Sequence, residues 1–109
     1  MREDINIHPA AKAEFHDLIR HFAAVDYTGD IALAFESAFS HHLDAILAAP
    51  LHYNLRRRPT RRVNLVPQFR ETYIAYMLWR EKIVILAVGH AKRRPYYWRN
   101  RIGESRELF

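Results

Sequence analysis

The 109-residue sequence contains no cysteine and only three glycines. The absence of cysteine excludes a disulfide scaffold and a zinc site built on thiolates. No glycine-rich phosphate loop, Gly-x-Ser-x-Gly elbow or His-Glu-x-x-His motif is present, so nucleotide hydrolysis, acyl transfer and zinc proteolysis lack their usual motifs. His41 and His42 are adjacent and would project about 100° apart on a helix. We therefore expect no metal site and no cofactor.

Long hydrophobic runs are also absent. The longest strongly apolar run, residues 83–89, has seven residues, whereas a membrane helix needs about 20. The sequence starts Met-Arg-Glu-Asp and leads into no apolar segment, which predicts no signal peptide. We therefore expect a cytoplasmic protein that does not bind membranes. Because 50% of the residues are hydrophobic, disorder is disfavoured, and we expect one globular domain over residues 1–109.

Acidic residues are scarce in the second half of the chain. Residues 1–50 contain eight acids and three cations, whereas residues 51–109 contain four acids and fourteen cations, so the formal charges of the two halves are −5 and +10. Fourteen of the seventeen cations in the chain are arginine. Guanidinium groups match the geometry of phosphate and carboxylate. The second half is therefore predicted to bind a polyanion or an acidic protein segment.

Apolar periodicity predicts one strand and two helices in the first half. Residues 4–7 alternate in hydrophobicity, which is typical of a short strand. Apolar residues at helical spacing after Pro9 predict an amphipathic helix of about four turns. The pattern breaks at residues 27–30 and resumes after Asp30, the predicted N-cap of a second helix that ends at residues 49–50. The short connection predicts an antiparallel helix hairpin.

The second half is predicted to be mostly strand. The arginine-rich residues 51–62 predict a loop, and strands are expected at 62–66, 72–79 and 82–90, joined by hairpins. The predicted fold class is α+β. It has an N-terminal strand and an antiparallel two-helix hairpin packed on a mostly antiparallel sheet, which a C-terminal three-stranded meander completes before a basic aromatic tail.

Three groups of residues are candidates for function. The first is the arginine run at 56–62, whose guanidinium groups could make bidentate contacts to phosphate. The alternative is that this run is only a solvated loop. The second is the tail, where Tyr96, Tyr97 and Trp98 lie among cations and could stack on unpaired bases; alternatively a ring, Trp98 first, caps the core. The third is His90, which neighbouring cations should keep neutral and able to accept a proton. A hydrogen bond from His90 to the backbone at the sheet edge is the alternative.

Together these groups permit metal-independent RNA cleavage. That reaction needs a base for the 2′-hydroxyl, cations for the phosphorane and an acid for the leaving oxygen. Arginines near a tyrosine should favour its anion, so Tyr96, Tyr97 or His90 could act as base or acid. The candidate catalytic residues are Tyr97, His90, Arg61, Arg62, Arg93 and Arg94. The candidate nucleic-acid-binding residues are Arg56, Arg57, Arg58, Lys92, Tyr96, Arg99 and Arg101.

The order of elements resembles the RelE/ParE superfamily of toxins from type II toxin–antitoxin systems. The matching segments are Pro9-Ala10-Ala11 with Glu14 and Leu18 behind it, the helix end Ala-Ala-Pro, Arg61-Arg62-Val63-Asn64-Leu65, Tyr73-Ile74-Ala75-Tyr76, and residues 83–90 followed by Lys92-Arg93-Arg94-Pro95. The resemblance implies a toxin neutralised by a cognate antitoxin that wraps the helices and sheet. RelE-like members cut mRNA in the ribosomal A site with arginine, lysine and a C-terminal tyrosine, whereas ParE-like members inhibit DNA gyrase by binding and lack that set.

Features of both branches occur near the C terminus. Tyr97 lies eight residues after Gly89, which resembles the RelE-type tyrosine position. Ala91 stands where a RelE-type arginine is expected, and His90-Ala91-Lys92 resembles the His-Gly-Arg ending of ParE-like chains. The sequence favours ribosome-dependent mRNA cleavage, with gyrase inhibition as the alternative and a non-catalytic RNA- or antitoxin-binding module as the third. The expected partners are the ribosome and mRNA, or gyrase, and an antitoxin with an acidic C-terminal segment.

Overall fold

The computed structural model describes residues 4–109 and has the predicted α+β architecture. Its elements in chain order are β1 (Ile5–Ile7), α1 (Pro9–Val25), α2 (Asp30–Ala48), β2 (Leu55–Arg57), β3 (Thr60–Leu65), β4 (Phe69–Trp79), β5 (Lys82–His90) and α3 (Arg101–Leu108). The five strands form one sheet in the order β1-β5-β4-β3-β2. β1 pairs with β5 in parallel, and the other three pairings are antiparallel. Neither long helix within residues 4–109 is long and apolar enough to cross a membrane.

Local residue chemistry fixes the starts of the two long helices. The Nδ1 atom of His8 accepts the Ala10 N–H at 3.0 Å, and Pro9 opens α1, where its missing N–H costs nothing. The predicted N-cap of α2 is wrong, because Gly29 with φ of 82° takes that position. The Asp26 carboxylate instead accepts the Ile31 N–H at 3.0 Å. Hydrogen bonds to the Asp26 carboxyl lower its pKa, and the bond from the Thr28 hydroxyl has the largest effect.

The structure differs from the prediction in the arginine-rich segment and in the tail. Residues 51–62 are not entirely loop, because β2 forms an edge strand there and β3 already begins at Thr60. All three residues of β2 are exposed, so the strand shows no alternation of buried and polar positions. β4 begins at Phe69, three residues earlier than predicted. The tail ends in α3, where Nε2 of His8 lies 2.8 Å from a Glu104 carboxylate oxygen.

The sheet is covered on both faces, in keeping with the continuous aliphatic residues of β5. On one face α1 and α2 pack a core that includes Phe35, Phe39 and Ile74. On the other face the tail and α3 cover a second, smaller cluster that includes Met77, Leu86 and Trp98. The expectation that Trp98 caps the core is confirmed, since only 3% of its surface is exposed.

Candidate functional site: the Glu14 network and the tail face

Glu14 of α1 lies against an edge of β5 that no strand covers. The pairing of β1 with β5 ends at Ile7 and Ile85, so the next backbone groups of β5 on this side lack a strand partner. The Glu14 carboxylate accepts the Val88 N–H at 3.1 Å, and the Leu86 carbonyl accepts a hydrogen bond from Arg101 at 3.1 Å. Two side chains thus satisfy backbone groups that a longer β1 would have paired.

The same carboxylate binds the tail. The Tyr97 hydroxyl donates to Glu14 Oε2 at 2.5 Å, and Arg93 Nη1 donates to the same oxygen at 3.2 Å. Arg101 donates through Nη1 to Oε1 at 2.8 Å and through Nη2 to Oε2 at 3.3 Å. The side chains of Glu14 and Arg101 are only 14% and 15% exposed. We call Glu14, Val88, Arg93, Tyr97 and Arg101 the Glu14 network; it ties the tail and α3 to α1.

Tyr97 holds its proton more tightly than the sequence predicted. Burial is the largest cause, and it raises the pKa of the Tyr97 hydroxyl together with the hydrogen bond and the negative charge of Glu14. The Arg93 guanidinium, 3.7 Å from the centre of the Tyr97 ring, lowers this pKa by a smaller amount. The expectation that nearby arginines favour the Tyr97 anion is therefore wrong. The hydroxyl donates to Glu14 Oε2.

Arg61 and Arg62 lie on opposite faces of the sheet, because successive residues of a strand point to opposite sides. Arg61 pairs with Tyr76, whose ring belongs to the helix-side core, and it donates to the Tyr53 carbonyl at 2.6 Å. Burial raises the pKa of Tyr76 to about 12, against the opposing effect of Arg61. Arg62 instead lies 3.8 Å from the centre of the Tyr73 ring, on the tail side.

His90 makes the backbone contact that was its alternative role. Its Nδ1 accepts the Lys92 N–H at 3.1 Å, and its Nε2 lies 3.3 Å from Glu71 Oε2. His90 also lines an open groove of about 450 Å³ between α1 and the start of β4, together with Leu18 and Phe69. The other five candidate catalytic residues do not line this groove.

A second constellation lies where the tail crosses the sheet. The guanidinium carbon of Arg57 is 4.4 Å from the centre of the Tyr96 ring, and the Tyr96 and Trp98 rings meet edge to face at 5.5 Å. Trp98 Nε1 donates to the Tyr73 hydroxyl at 3.0 Å, and Arg62 stacks on the Tyr73 ring. We call Arg57, Arg62, Tyr73, Tyr96 and Trp98 the tail-face cluster. It links the edge strand β2, the inner strands β3 and β4, and the tail.

Gly89 makes room for this cluster. A β-carbon at position 89 would lie 2.5 Å from the Tyr73 ring, which is closer than any side chain tolerates. The Tyr73 ring therefore packs directly on the β5 backbone.

Some of the remaining candidate residues are exposed, and others form contacts within the protein. Arg101 belongs to the Glu14 network. The exposed members are Arg56, Arg58, Lys92, Arg94 and Arg99. Residues 4–109 contain no group of three His, Asp or Glu side chains placed to hold a metal ion.

Sequence reasoning did not assign a functional role to Glu14. Its partners Tyr97 and Arg101 are 83 and 87 residues away in the chain. The only sequence signal was its place in the motif at the start of α1, where an acid lies among the polar residues of an amphipathic helix.

Comparison with protein families assigns the chain to a class. A family model described as "ParE toxin of type II toxin-antitoxin system, parDE" matches residues 5–95, from β1 to the start of the tail. No curated protein matches the chain. The match includes Glu14, Gly89 and Arg93 and ends just before Tyr97. A type II system pairs a toxin with a cognate antitoxin, so the match gives this chain the role of the toxin and an antitoxin as partner. The chain belongs to the ParE toxin family of type II toxin–antitoxin systems.

Proposed function

We propose that this toxin inhibits DNA gyrase by binding to it and does not cleave RNA. The observation that carries the proposal is the hydrogen bond from the Tyr97 hydroxyl to Glu14 at 2.5 Å. The proposal takes the gyrase alternative of the sequence prediction in preference to mRNA cleavage. A gyrase inhibitor acts in the cytoplasm, which we propose as the location of the protein.

RNA cleavage requires several groups to converge on one phosphate. A base must accept the 2′-hydroxyl proton, but burial and Glu14 raise the pKa of the Tyr97 hydroxyl, which disfavours the anion that this role needs. Arg93 and Arg101 are both ion-paired with Glu14, and Arg61 lies on the helix side of the sheet. Inhibition by binding needs no such convergence and depends only on an exposed surface of fixed shape.

A comparison of two tyrosine variants tests the proposal. Tyr97→Phe removes one hydrogen bond to Glu14, so we expect its inhibition of gyrase supercoiling and of cell growth to stay within about threefold of wild type. Tyr96→Phe is the matched control, because it removes a hydroxyl from the neighbouring ring. Primer extension on mRNA from induced cells is expected to show no new 3′ ends with any of the three proteins.

Two outcomes would contradict the gyrase proposal. One is supercoiling that continues unchanged in the presence of excess wild-type toxin. The other is a set of new mRNA 3′ ends that appears with wild type and Tyr96→Phe but disappears with Tyr97→Phe.

The second outcome would support mRNA cleavage. One observation favours this second candidate function. Arg93 and Arg101 lie 3.7 and 5.3 Å from the centre of the Tyr97 ring, so two cations adjoin a C-terminal tyrosine. A substrate phosphate that displaced the Glu14 carboxylate would meet both guanidinium groups and the hydroxyl. Primer extension distinguishes this function from gyrase binding because only cleavage creates new RNA ends.

The charge of the second half suggests the chemistry of the antitoxin. Residues 51–109 carry a formal charge of +10, so we propose that an acidic C-terminal segment of the antitoxin covers exposed arginines such as Arg94 and Arg99. Dissolved salt screens charges over about 10 Å near 0.1 M. The affinity between toxin and antitoxin should therefore fall as the salt concentration rises from about 50 to about 200 mM. Affinity that is independent of salt would contradict the acidic segment.

A further inference from the structure

The surface around the tail-face cluster is rich in cations and poor in acids. Four of its five residues lie in two chain segments, residues 45–70 and 82–103, which contain six cations each and no Asp or Glu. The fifth, Tyr73, lies in β4, where Glu71 is the one acid. Arg93 and Arg101 share an ion pair with the single carboxylate of Glu14 from α1. The exposed tail residues Arg94 and Arg99, by contrast, lie two residues before and three residues after Tyr96, in a part of the chain that has no acid of its own. The Tyr96 ring in turn contacts the Arg57 guanidinium.

Stacking holds two of these arginines in place. Arg57 lies on the Tyr96 ring and Arg62 on the Tyr73 ring. A guanidinium held over a ring by a cation–π contact keeps N–H groups that can bind phosphate oxygens. Because the protein already restricts both side chains, less conformational entropy is lost when they bind a ligand.

The aromatic rings of the cluster are not available to nucleic-acid bases. Tyr73 and Trp98 are each 3% exposed, and a guanidinium already covers one face of Tyr96. Tyr97 likewise has Arg93 on its ring. Proteins that bind single strands present free ring faces to successive bases. Two of these four rings are buried, and each of the other two has a guanidinium over it. The structure therefore does not favour the predicted stacking on unpaired bases, but it leaves guanidinium edges for a phosphate backbone.

We propose that the tail face binds the phosphate backbone of duplex DNA through Arg57, Arg62, Arg94 and Arg99 without reading its base sequence. The inference deepens the proposed function and rests on it, since duplex DNA is the substrate of gyrase. Contacts to phosphates alone give affinity that is independent of sequence and strongly dependent on salt.

Fluorescence anisotropy of a labelled duplex of about 20 base pairs tests this inference on the toxin alone. Four phosphate contacts predict that log K falls with log salt with a slope of about −3.6. The double variant R94Q/R99Q should bind at least about tenfold more weakly near 0.1 M salt and should reduce the slope by about 2 units. The control K12Q/R20Q removes the same charge from exposed positions on α1 and should leave both values unchanged.

Three results would overturn the inference. The first is an absence of duplex binding at about 50 mM salt. The second is an equal loss of affinity in the two double variants, which would indicate an effect of net charge alone. The third is tighter binding of an unstructured single strand than of the duplex. Supercoiling assays on the same samples separate the two proposals. Inhibition of gyrase without duplex binding would refute the DNA contact alone, whereas duplex binding without inhibition would refute the gyrase target alone.

Discussion

Replacing Glu14 by glutamine should destabilise the protein, although the two side chains have nearly the same shape. The carboxylate accepts five hydrogen bonds, from Val88, Arg93, Tyr97 and twice from Arg101. The amide offers one oxygen and one NH₂ group. If the oxygen stays at the Oε1 position, it keeps the bonds from Val88 and from Arg101 Nη1. The NH₂ group then faces Arg93 and Arg101 Nη2, which are themselves donors, and only the Tyr97 hydroxyl can reverse its role.

The magnitude follows from the burial of the charges. Removing one partner of a buried ion pair costs about 3–5 kcal/mol, because the other charge stays buried without compensation. Arg101 is 15% exposed and Arg93 is 55% exposed, so water relieves part of this cost. We expect Glu14→Gln to lower the free energy of unfolding by about 2–3 kcal/mol. For a chain of about 100 residues, each kcal/mol lowers the melting temperature by about 4–8 °C.

Urea denaturation followed by tryptophan fluorescence measures the loss, because Trp98 is buried against the sheet by the tail that Glu14 holds. Asp17→Asn is the matched control. It removes an acid from the same helix, but the ion pair of Asp17 with Arg20 is exposed, so the change should stay within about 0.5 kcal/mol. A loss below about 0.5 kcal/mol for Glu14→Gln, or equal losses in both variants, would refute the view that Glu14 fastens the tail.

Two further predictions concern the sheet. Gly89→Ala should lower the free energy of unfolding by about 1–3 kcal/mol, because its β-carbon meets the Tyr73 ring; Gly103→Ala, where nothing lies within 4 Å, should be neutral or stabilise α3 by up to about 1 kcal/mol. The neutral Tyr76 hydroxyl is favoured in the fold, so stability should fall as the pH rises from about 10 to about 12, by up to about 2 kcal/mol. Alkaline melts of Tyr76→Phe should lack this component, and identical pH profiles would contradict it.

The elements with a clear period were predictable from the sequence, and those without one were not. Apolar spacing revealed α1 and α2, and uninterrupted aliphatic residues revealed β5. β2 has three exposed residues and two of them are arginines, so neither alternation nor hydrophobicity marks it as a strand. It is a strand only through its pairing with the outer edge of β3. α3 was missed for a related reason, since its buried residue is Ser105 and no apolar stripe runs along it.

The candidate site was predictable in composition but not in connectivity. Arginines near tyrosines were evident from the sequence, and cation–ring pairs do form at Tyr73, Tyr96 and Tyr97. The acidic side chain that pairs with these arginines and tyrosines depends on where α1 meets the end of the sheet. The length of β1 sets that position. Because β1 ends at Ile7, the next backbone groups of β5 require partners, and Glu14 is the acid that reaches them. Glu14 also binds Arg93, Tyr97 and Arg101, whereas Arg94 and Arg99 remain exposed. This separates the residues that hold the tail from those available to a partner.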